Sequence, residues 1–340
     1  MIRSIVLGEF LLTIREMQVN EPFVKKINPS GIFSAGIKIA VFLFSIGVIY
    51  TVLLEKKHWL ELFAQTFFKE NGLYVFAAML AAMFANISVE AIKWKRLVKS
   101  ITVIPFSTSL MAVYSGIVAG IITPHGIGDY VGRVLFIHSE KRFESIGSVL
   151  FSRVAQLCIT CITGVAAVIY FYFFIEEDAH MLLALAVACV TLVLICVAWN
   201  YRAWLLDKMK HVPLLKNIEK WFEQLRMYNN LLFAETLGLS AFRYLIFLSQ
   251  FVCLLMYFGV DLPIEILITG SVFTFFVKSV IPSFLDIGVR ELAAVFFFSA
   301  YHIADEKVLL ASLSLWFFNL LIPAVIGLFC MFKIEYRKRT

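Results

Sequence analysis

Long apolar stretches constrain the fold of this chain more than any other feature of its sequence. Seven of them are almost free of charge, at residues 37–54, 71–89, 101–128, 154–175, 181–201, 244–260 and 308–332. A helix needs about 20 apolar residues to cross the hydrocarbon core of a bilayer. Because 61% of the 340 residues are hydrophobic and 34 are Phe, a water-soluble core has no room for this much apolar surface. We predict an all-α, polytopic membrane helical bundle.

The basic residues predict how this bundle is oriented. A formal charge of +6 would suggest a nucleic-acid partner in a soluble protein. Here, however, Lys and Arg gather between the apolar stretches and at the C-terminus, for example at 93–99, 202–226 and 333–339, whereas the loops at 176–180 and 261–265 contain neither. By the positive-inside rule, the basic loops and both termini are expected on the cytoplasmic side of the cell membrane. We expect no nucleic-acid partner.

Tracing the chain through these assignments predicts about six full crossings and two re-entrant hairpins. The crossings are expected at 31–54, 73–93, 146–175, 181–199, 230–259 and 308–332. The hairpins are expected at 105–139, with cytoplasmic loops on both flanks, and at 264–301, with both flanks outside. A single integral membrane domain is expected over 1–340, with an amphipathic cytoplasmic lead-in at 1–30 and a cytoplasmic loop at 200–228 that links the two halves.

A polar break, ITPHGIGDYVGR at 122–133, interrupts the first predicted hairpin. Pro124 ends the preceding helix by removing a backbone donor, and the glycines permit a tight reversal and close approach of a ligand. Non-helical backbone at membrane depth must face protein or a water-filled cavity, so the break should point inward. A new helix is expected to start near Asp129, where its first N–H groups suit an anion such as phosphate. The candidate substrate-binding residues are His125, Gly126, Gly128, Asp129 and Arg133.

A second break, IPSFLDIG at 281–288, interrupts the second predicted hairpin. Its candidate substrate-binding residues are Lys278, Asp286, Gly288, Arg290 and Glu291. One charge at the bilayer centre costs about 2.5–3.5 kcal/mol on insertion scales, so packing alone does not explain this many ionisable side chains. Both breaks carry Pro, then Ile-Gly, then Arg. Paired breaks in corresponding halves indicate a pseudo-inverted repeat, as in transporters whose binding site lies where the breaks meet.

Further polar residues lie inside the apolar segments. Arg153 and Arg243 are too deep to reach the membrane surface without strain, so we expect them to face the same cavity and bind substrate. The alternative is that they only neutralise buried carboxylates. Glu90 is expected to pair with nearby lysines at the cytoplasmic interface, and Asn86 and Asn319 are expected to form interhelical hydrogen bonds.

Structural roles compete with ligand binding at the breaks themselves. Asp129 would then serve only as a helix N-cap, and Arg290 and Glu291 would form a self-neutralising pair. A single loop histidine such as His125 is more often a hydrogen-bonding residue than a base. The inference therefore rests on the paired arrangement of the breaks.

The sequence contains no motif that requires a metal or an organic cofactor, and we expect none. It has no D-x-D run, no GxxxxGK loop and no Ser/His/Asp order. Cys158 and Cys161 form a C-x-x-C in mid-span without flanking ligands. We interpret these cysteines as packing residues.

Three segments carry a resemblance to a known family. The matching residues are Trp94 and Leu97 in KWKRLVKS, Pro124, Gly128, Asp129 and Arg133 in PHGIGDYVGR, and Pro282, Gly288, Val289, Arg290 and Glu291 in IPSFLDIGVRELAAV. In combination they resemble the transmembrane region of the lysylphosphatidylglycerol synthase/flippase family, over roughly residues 35 to 335. Lys93 stands where that family usually has Arg, and Asp286 where glycine is common.

The resemblance implies a flippase-like protein without the soluble aminoacyl-transferring domain of the namesake proteins. We therefore expect a membrane lipid flippase, not an enzyme, whose partner is a phospholipid or a lipid-linked head group. The alternative is an integral-membrane transferase acting on a polyprenyl- or phospholipid-linked substrate. In that case Asp129 and Glu291 would serve as acid and base.

Overall fold

A computed structural model describes residues 71–123, 127–137, 142–174, 179–211, 221–281 and 288–339. All regular structure in these ranges is helical, as predicted. The described residues belong to a compact unit that runs from Val41 to Thr340. The predicted lead-in at 1–30, the crossing at 31–54 and the candidate residues His125, Gly126 and Asp286 lie outside the described residues.

The helices are numbered here in chain order along the described residues. They are α1 (Gly72–Val98), α2 (Phe106–Ile122), α3 (Ile127–Val134), α4 (Ile146–Phe174), α5 (Ala179–Asn200), α6 (Arg202–His211), α7 (Asn230–Tyr257), α8 (Ile264–Val280), α9 (Val289–Ser299), α10 (Asp305–Trp316) and α11 (Ile322–Arg339). A short 3₁₀ helix, Glu223–Met227, precedes α7. A π-helical segment, Phe317–Leu321, joins α10 to α11.

Several helices are long and apolar enough to cross a membrane. In the described part of the chain there are four, namely Gly72–Val98, Ile146–Tyr170, Asn230–Tyr257 and Asp305–Cys330. They correspond to four crossings predicted from the sequence. A fifth is added if Leu185–Asn200 and Arg202–His211, which meet at 78°, form one bent span. The first part of the predicted loop at 200–228 is therefore helical.

Large apolar side chains cover the outer surface of these helices. Val190, Leu194, Phe296 and Phe329 are between 58% and 70% exposed. Exposed apolar surface of this kind is unfavourable in water, but lipid tails solvate it well. The exterior therefore agrees with a protein embedded in a bilayer.

Both predicted hairpins are helix–break–helix units. Their first arms, α2 and α8, have 17 residues each, which is about 25 Å of helix and less than the ~30 Å hydrocarbon core. The second arms, α3 and α9, have 8 and 11 residues. They fold back closely onto the first arms, because a Cβ at Gly132 would lie 2.5 Å from the Ser115 carbonyl oxygen and one at Gly270 would lie 2.6 Å from the Phe297 ring.

The two hairpins begin at opposite ends of an antiparallel helix pair. The amide of Gln250 on α7 donates to the Met79 carbonyl on α1 at 3.2 Å. Fourteen residues further along α1, the Lys93 ammonium donates to Ser240 of α7 at 3.2 Å. Because α1 and α7 run in opposite directions, α2 leaves from one end of the pair and α8 from the other.

Candidate functional site

A cavity of about 570 Å³ lies among the helices and reaches both hairpins. Thr123 and Asp129, on either side of the first break, line it. Lys278, Ile281 and Arg290, on either side of the second break, line it as well. The described flanks of both breaks therefore meet at one polar chamber.

Glu90 of α1 is the centre of the largest ionic cluster in this cavity. Its Oε1 accepts hydrogen bonds from Arg133 Nη1 at 2.6 Å and from Ser152 Oγ at 3.2 Å. Its Oε2 accepts from Arg243 Nη1 at 2.6 Å and lies 2.9 Å from Lys93 Nζ. One buried carboxylate thus joins α1, α3, α4 and α7.

Asp129 of α3 is the second carboxylate of the cluster. Arg133, one turn later, donates from Nε to Oδ1 at 2.7 Å and from Nη2 to Oδ2 at 3.0 Å. This two-bond geometry is the strong form of an arginine–carboxylate pair. Arg153 of α4 adds a third bond, from Nη2 to Oδ2 at 2.7 Å. Arg153 and Arg243 therefore both pair with buried carboxylates, as the alternative expected, but both also line the cavity.

The start of α3 explains how Asp129 is held in place. Asp129 is the third residue of the helix and not its N-cap. The Gly128 N–H, which the sequence suggested would be available to an anion, instead donates to Thr123 Oγ1 at 2.6 Å. Gly128 also packs directly against the Ala119 carbonyl group of α2. The Gly128 N–H is thus already bonded within the chain, so the charged side chains of the cluster are the groups that remain for a ligand.

Trp94 links the first family-like segment to the second. It is completely buried, and the Arg133 guanidinium lies 5.9 Å from the centroid of its ring. A cation over an aromatic face is stabilised by the ring's negative charge density. The segments around residues 94 and 133 therefore form one structural unit.

A smaller, more tightly closed cluster lies beside the second break. Arg290 Nη2 donates to Glu291 Oε1 at 2.6 Å and to the Ser312 carbonyl at 3.0 Å. Glu291 Oε2 accepts the Gly288 amide at 2.7 Å. Gly288 has φ of 103°, a conformation that glycine adopts without steric cost. The predicted self-neutralising pair of Arg290 and Glu291 is therefore confirmed, although Arg290 also lines the cavity.

Two asparagines form hydrogen bonds between helices in this region. Asn319 lies in the π-helical segment, lines the cavity and donates to Gln250 Oε1 at 3.1 Å. Asn86 accepts from Arg243 Nε at 2.7 Å. The predicted interhelical hydrogen bonds of both asparagines are confirmed. A π-helical turn inside an α-helix is frequently found at a functional site.

The cavity has an excess of positive charge. Its described lining includes six cationic side chains, Lys93, Arg133, Arg153, Arg243, Lys278 and Arg290. It includes two carboxylates, Glu90 and Asp129, and Glu291 is bonded to Arg290 as a third. Among the described residues, cations therefore exceed carboxylates by three. Because cationic side chains attract anions, the described lining favours an anionic ligand.

The structure brings together most of the residues that the sequence singled out. Those on the cavity wall are Asp129, Arg133, Arg153, Arg243, Lys278 and Arg290. Gly128 and Glu291 support them from the positions described above. His125, Gly126 and Asp286 lie outside the described residues.

Sequence reasoning missed the importance of α1. Lys93 was expected in a cytoplasmic basic loop and Glu90 at the interface, but α1 continues to Val98, and Lys93 and Glu90 are 1% and 2% exposed. The basic residues from Lys93 to Arg96 are therefore helical and not part of a loop, whereas the expected pairing of Glu90 with a nearby lysine is confirmed at Lys93. A signal was present, since Asn86, Glu90 and Lys93 are spaced four and three residues apart and so share one helix face.

The described residues give little support for metal binding or for cysteine chemistry. They contain no group of three or more His, Cys, Asp or Glu side chains placed to hold a metal ion. Cys158 and Cys161 are free thiols buried in the helix packing. Cationic side chains are instead the most numerous ionisable groups in the described lining of the cavity.

The fold and the site define a polytopic helical membrane protein with a charged internal cavity. Residues 37–327 match the family model described as the lysylphosphatidylglycerol synthase TM region, and the chain belongs to this family. The resemblance seen in the three sequence segments is thus confirmed. Comparisons with curated proteins and with solved structures give no match.

Proposed function

We propose that this protein is a flippase that moves a phospholipid or a lipid-linked head group across the cytoplasmic membrane. The observation that carries the proposal is a cavity that reaches both broken hairpins, in whose described lining cations outnumber carboxylates inside a membrane-spanning bundle. A phosphate-bearing head group has the negative charge that such a cavity attracts.

The apolar part of the cavity wall supports a lipid as the ligand. Leu157, Phe247, Phe275 and Trp316 line the same cavity as the charged groups. The ring of Phe247 lies 5.7 Å from the Arg243 guanidinium, so apolar and cationic surfaces adjoin. Cationic side chains alone are enough to bind a small soluble anion. A lipid can also contact the apolar part of the wall with its hydrocarbon chains.

We propose further that the two hairpins belong to inverted halves and that 31–54 supplies the first of about six crossings. The start of the hairpins at opposite ends of α1 and α7 supports this arrangement. One half would rock against the other around the fixed site. Since Glu90 bonds to groups on α3, α4 and α7, such rocking would exchange partners within its cluster. The positive-inside rule puts both termini in the cytoplasm.

The transferase alternative has less support from the geometry. A general acid or base must exchange a proton with the substrate. Asp129 is instead held by Arg133 and Arg153, and Glu291 by Arg290 and the Gly288 amide. Both carboxylates have the role of counter-ions, so we propose transport rather than catalysis.

Transport can be tested in reconstituted vesicles. Wild-type protein would be placed in phosphatidylcholine vesicles that contain an anionic phospholipid with a fluorescent acyl chain. Reduction of the label by dithionite then reports how fast lipid reaches the outer leaflet. We expect wild type to exceed protein-free vesicles and the double variant Arg153→Gln/Arg243→Gln to fall to the protein-free rate.

Arg96→Gln is the matched control. Arg96 is also an arginine paired with a carboxylate, Glu235, but its side chain is 56% exposed and it is absent from the cavity wall. Its substitution should leave transport unchanged. Equal rates for wild type and the double variant would contradict the proposal, and a covalently altered lipid in the vesicles would favour the transferase.

A further inference from the structure

A row of exposed side chains runs along α5 and continues past its end into α6. Its members are between 47% and 62% exposed, and they are Val190, Leu194, Val197, Tyr201 and Trp204. They follow one another at intervals of four and three residues, a spacing that places side chains on one face of a helix. Helical hydrogen bonds continue through the junction, since the Tyr201 N–H donates to the Val197 carbonyl and the Leu205 N–H to the Tyr201 carbonyl, both at 2.9 Å. The row is therefore one surface that passes from α5 to α6.

The α6 helix lies outside the hydrocarbon core of the membrane. With 22 residues, α5 is about 33 Å long, which is enough to cross a core of ~30 Å by itself. Ionisable side chains are frequent in α6, namely Arg202, Asp207, Lys208, Lys210 and His211, and would be costly in hydrocarbon. The chain also turns by 78° between the two helices. A helix that leaves a crossing helix at this angle runs nearly along the membrane surface.

One side of α6 is held by the protein itself. Arg202 donates to the Leu225 carbonyl at 3.2 Å and to the Tyr228 carbonyl at 2.9 Å, which lie in and just after the short 3₁₀ helix. Leu206, one turn after Arg202, is 3% exposed. These contacts fix how α6 is rotated about its axis, and they leave the exposed row on a different side.

The exposed side of α6 combines aromatic, aliphatic and cationic groups. Leu205 is 38% exposed beside Trp204, and Lys208 is exposed one turn later with its ammonium 5.8 Å from the centroid of the Trp204 ring. Trp and Tyr favour the membrane–water interface, because their rings are apolar and carry a polar atom. A lysine can rest its apolar stem there and keep its charge among the lipid phosphates. This composition suits the head-group layer better than either water or hydrocarbon.

We infer that α6 is an interfacial helix, and that Tyr201, Trp204 and Lys208 dock it onto the head groups of anionic phospholipids. Continuity of the row identifies the membrane as the occupant, since Val190 and Leu194 already belong to the apolar exterior of the bundle. Anionic lipids complement the charge of Lys208. This docking is independent of the proposed transport and holds whether or not the cavity binds a lipid.

Fluorescence quenching of Trp204 tests the depth of α6. Wild type and Trp204→Phe would be placed in nanodiscs of phosphatidylcholine with bromine either next to the head groups or near the ends of the acyl chains. The difference between the two proteins isolates Trp204 among the six tryptophans. We expect bromine next to the head groups to quench this difference signal most strongly, and acrylamide in the water to quench it weakly.

Three outcomes of this measurement would overturn the inference. Strong quenching by acrylamide without quenching by brominated lipid would place Trp204 in water. Stronger quenching from the ends of the acyl chains would place α6 in the hydrocarbon core. Protection from every quencher would mean that protein, such as a second copy of this chain, covers the exposed row.

A pair of lysine variants tests the preference for anionic lipid. The same difference signal would be compared between brominated phosphatidylglycerol and brominated phosphatidylcholine at equal mole fractions. We expect Trp204 to contact the anionic lipid preferentially, by up to about fivefold for one surface lysine, and Lys208→Gln to remove most of this preference. Lys210→Gln is the matched control, because Lys210 lies on another side of α6 with its ammonium 3.9 Å from Glu223, and it should keep the preference. Equal quenching by the two lipids in wild type, or an equal loss in both variants, would overturn the role of Lys208.

Discussion

Both hairpins have an arginine and a carboxylate at the start of the second arm, but these residues have different partners in the two hairpins. In the first hairpin, Asp129 and Arg133 join a network that extends to α1, α4 and α7 and keeps an excess of cations. In the second, Arg290 and Glu291 form a neutral pair that is closed by Ser312 and the Gly288 amide. The first cluster connects four helices, and the second fixes a local turn.

This difference teaches that similar motifs in the two halves need not have similar roles. A neutral, buried pair has no net charge to offer a ligand, whereas the described cations of the first cluster outnumber its described carboxylates. We therefore propose that the first hairpin and its partner helices bind the ligand and that the second hairpin supports the fold. The predictions below test that division.

The largest expected effect comes from removing the shared carboxylate of the first cluster. Glu90→Gln leaves Lys93, Arg133 and Arg243 without their common counter-ion, and breaking a buried ion pair costs about 3–5 kcal/mol. The free energy of unfolding in detergent should fall by this amount. Glu235→Gln, at an exposed pair with Arg96, is the control and should change it by less than about 1 kcal/mol. A stable Glu90→Gln protein would show that the cluster is not a connected unit.

Removing the carboxylate of the second cluster should have a smaller effect. Glu291→Gln weakens two hydrogen bonds from Arg290 and one from Ser312, although its amide oxygen can still accept the Gly288 N–H. It leaves one buried cation without its carboxylate, where Glu90→Gln leaves three, so the loss should lie at the lower end of the ~3–5 kcal/mol of a broken buried ion pair. Unfolding of this variant in detergent measures the loss. A loss greater than that of Glu90→Gln would reverse the comparison between the hairpins.

Packing of the arms provides a third contrast. A Cβ at Gly132 meets backbone of α2 at 2.5 Å, whereas one at Gly270 meets aromatic side-chain atoms of Phe297 and Phe298 at 2.6 Å. Rings yield more readily than backbone, so Gly132→Ala should cost about 1–3 kcal/mol and Gly270→Ala less. Gly238→Ala, where no atom lies within 4 Å, is the control. Thermal unfolding of the three variants measures their losses of stability. Equal losses for Gly132→Ala and Gly270→Ala would contradict the expected order.

The smallest effect on stability is expected for Arg153. Its side chain is 43% exposed, so Arg153→Gln should change the free energy of unfolding by less than about 1 kcal/mol, although it reduces transport of anionic lipid. Parallel unfolding and transport measurements separate the two quantities. A large loss of stability would mean that Arg153 serves the fold, like Arg290.

The sequence predicted the hairpins well because their signals are local. Proline and glycine mark the breaks, and the short apolar arms around Thr123 and Ile281 follow from the spacing of charges. The helical class and four of the crossings follow from hydropathy in the same way. Two pairings that the sequence suggested as alternatives are also present in the structure. They are the neutral pair of Arg290 with Glu291 and the pairing of Arg153 with a buried carboxylate.

The burial of the Glu90 and Lys93 side chains was not predicted, because it depends on partners that are distant along the chain. Arg243 is 153 residues away from Glu90 along the chain, and Ser240 is 147 away from Lys93. Charge near the end of an apolar run indicates a loop unless such partners are known. The helical spacing of Asn86, Glu90 and Lys93 was the one local sign of a buried polar face.

The central claim is tested most directly by a structure of the protein in lipid nanodiscs that contain phosphatidic acid. The account predicts the lipid phosphate in the cavity, with its oxygens about 2.7–2.9 Å from guanidinium nitrogens of Arg153 and Arg243. A phosphate bound only at the membrane surface, with both arginines still on Asp129 and Glu90 and the cavity without lipid, would contradict it.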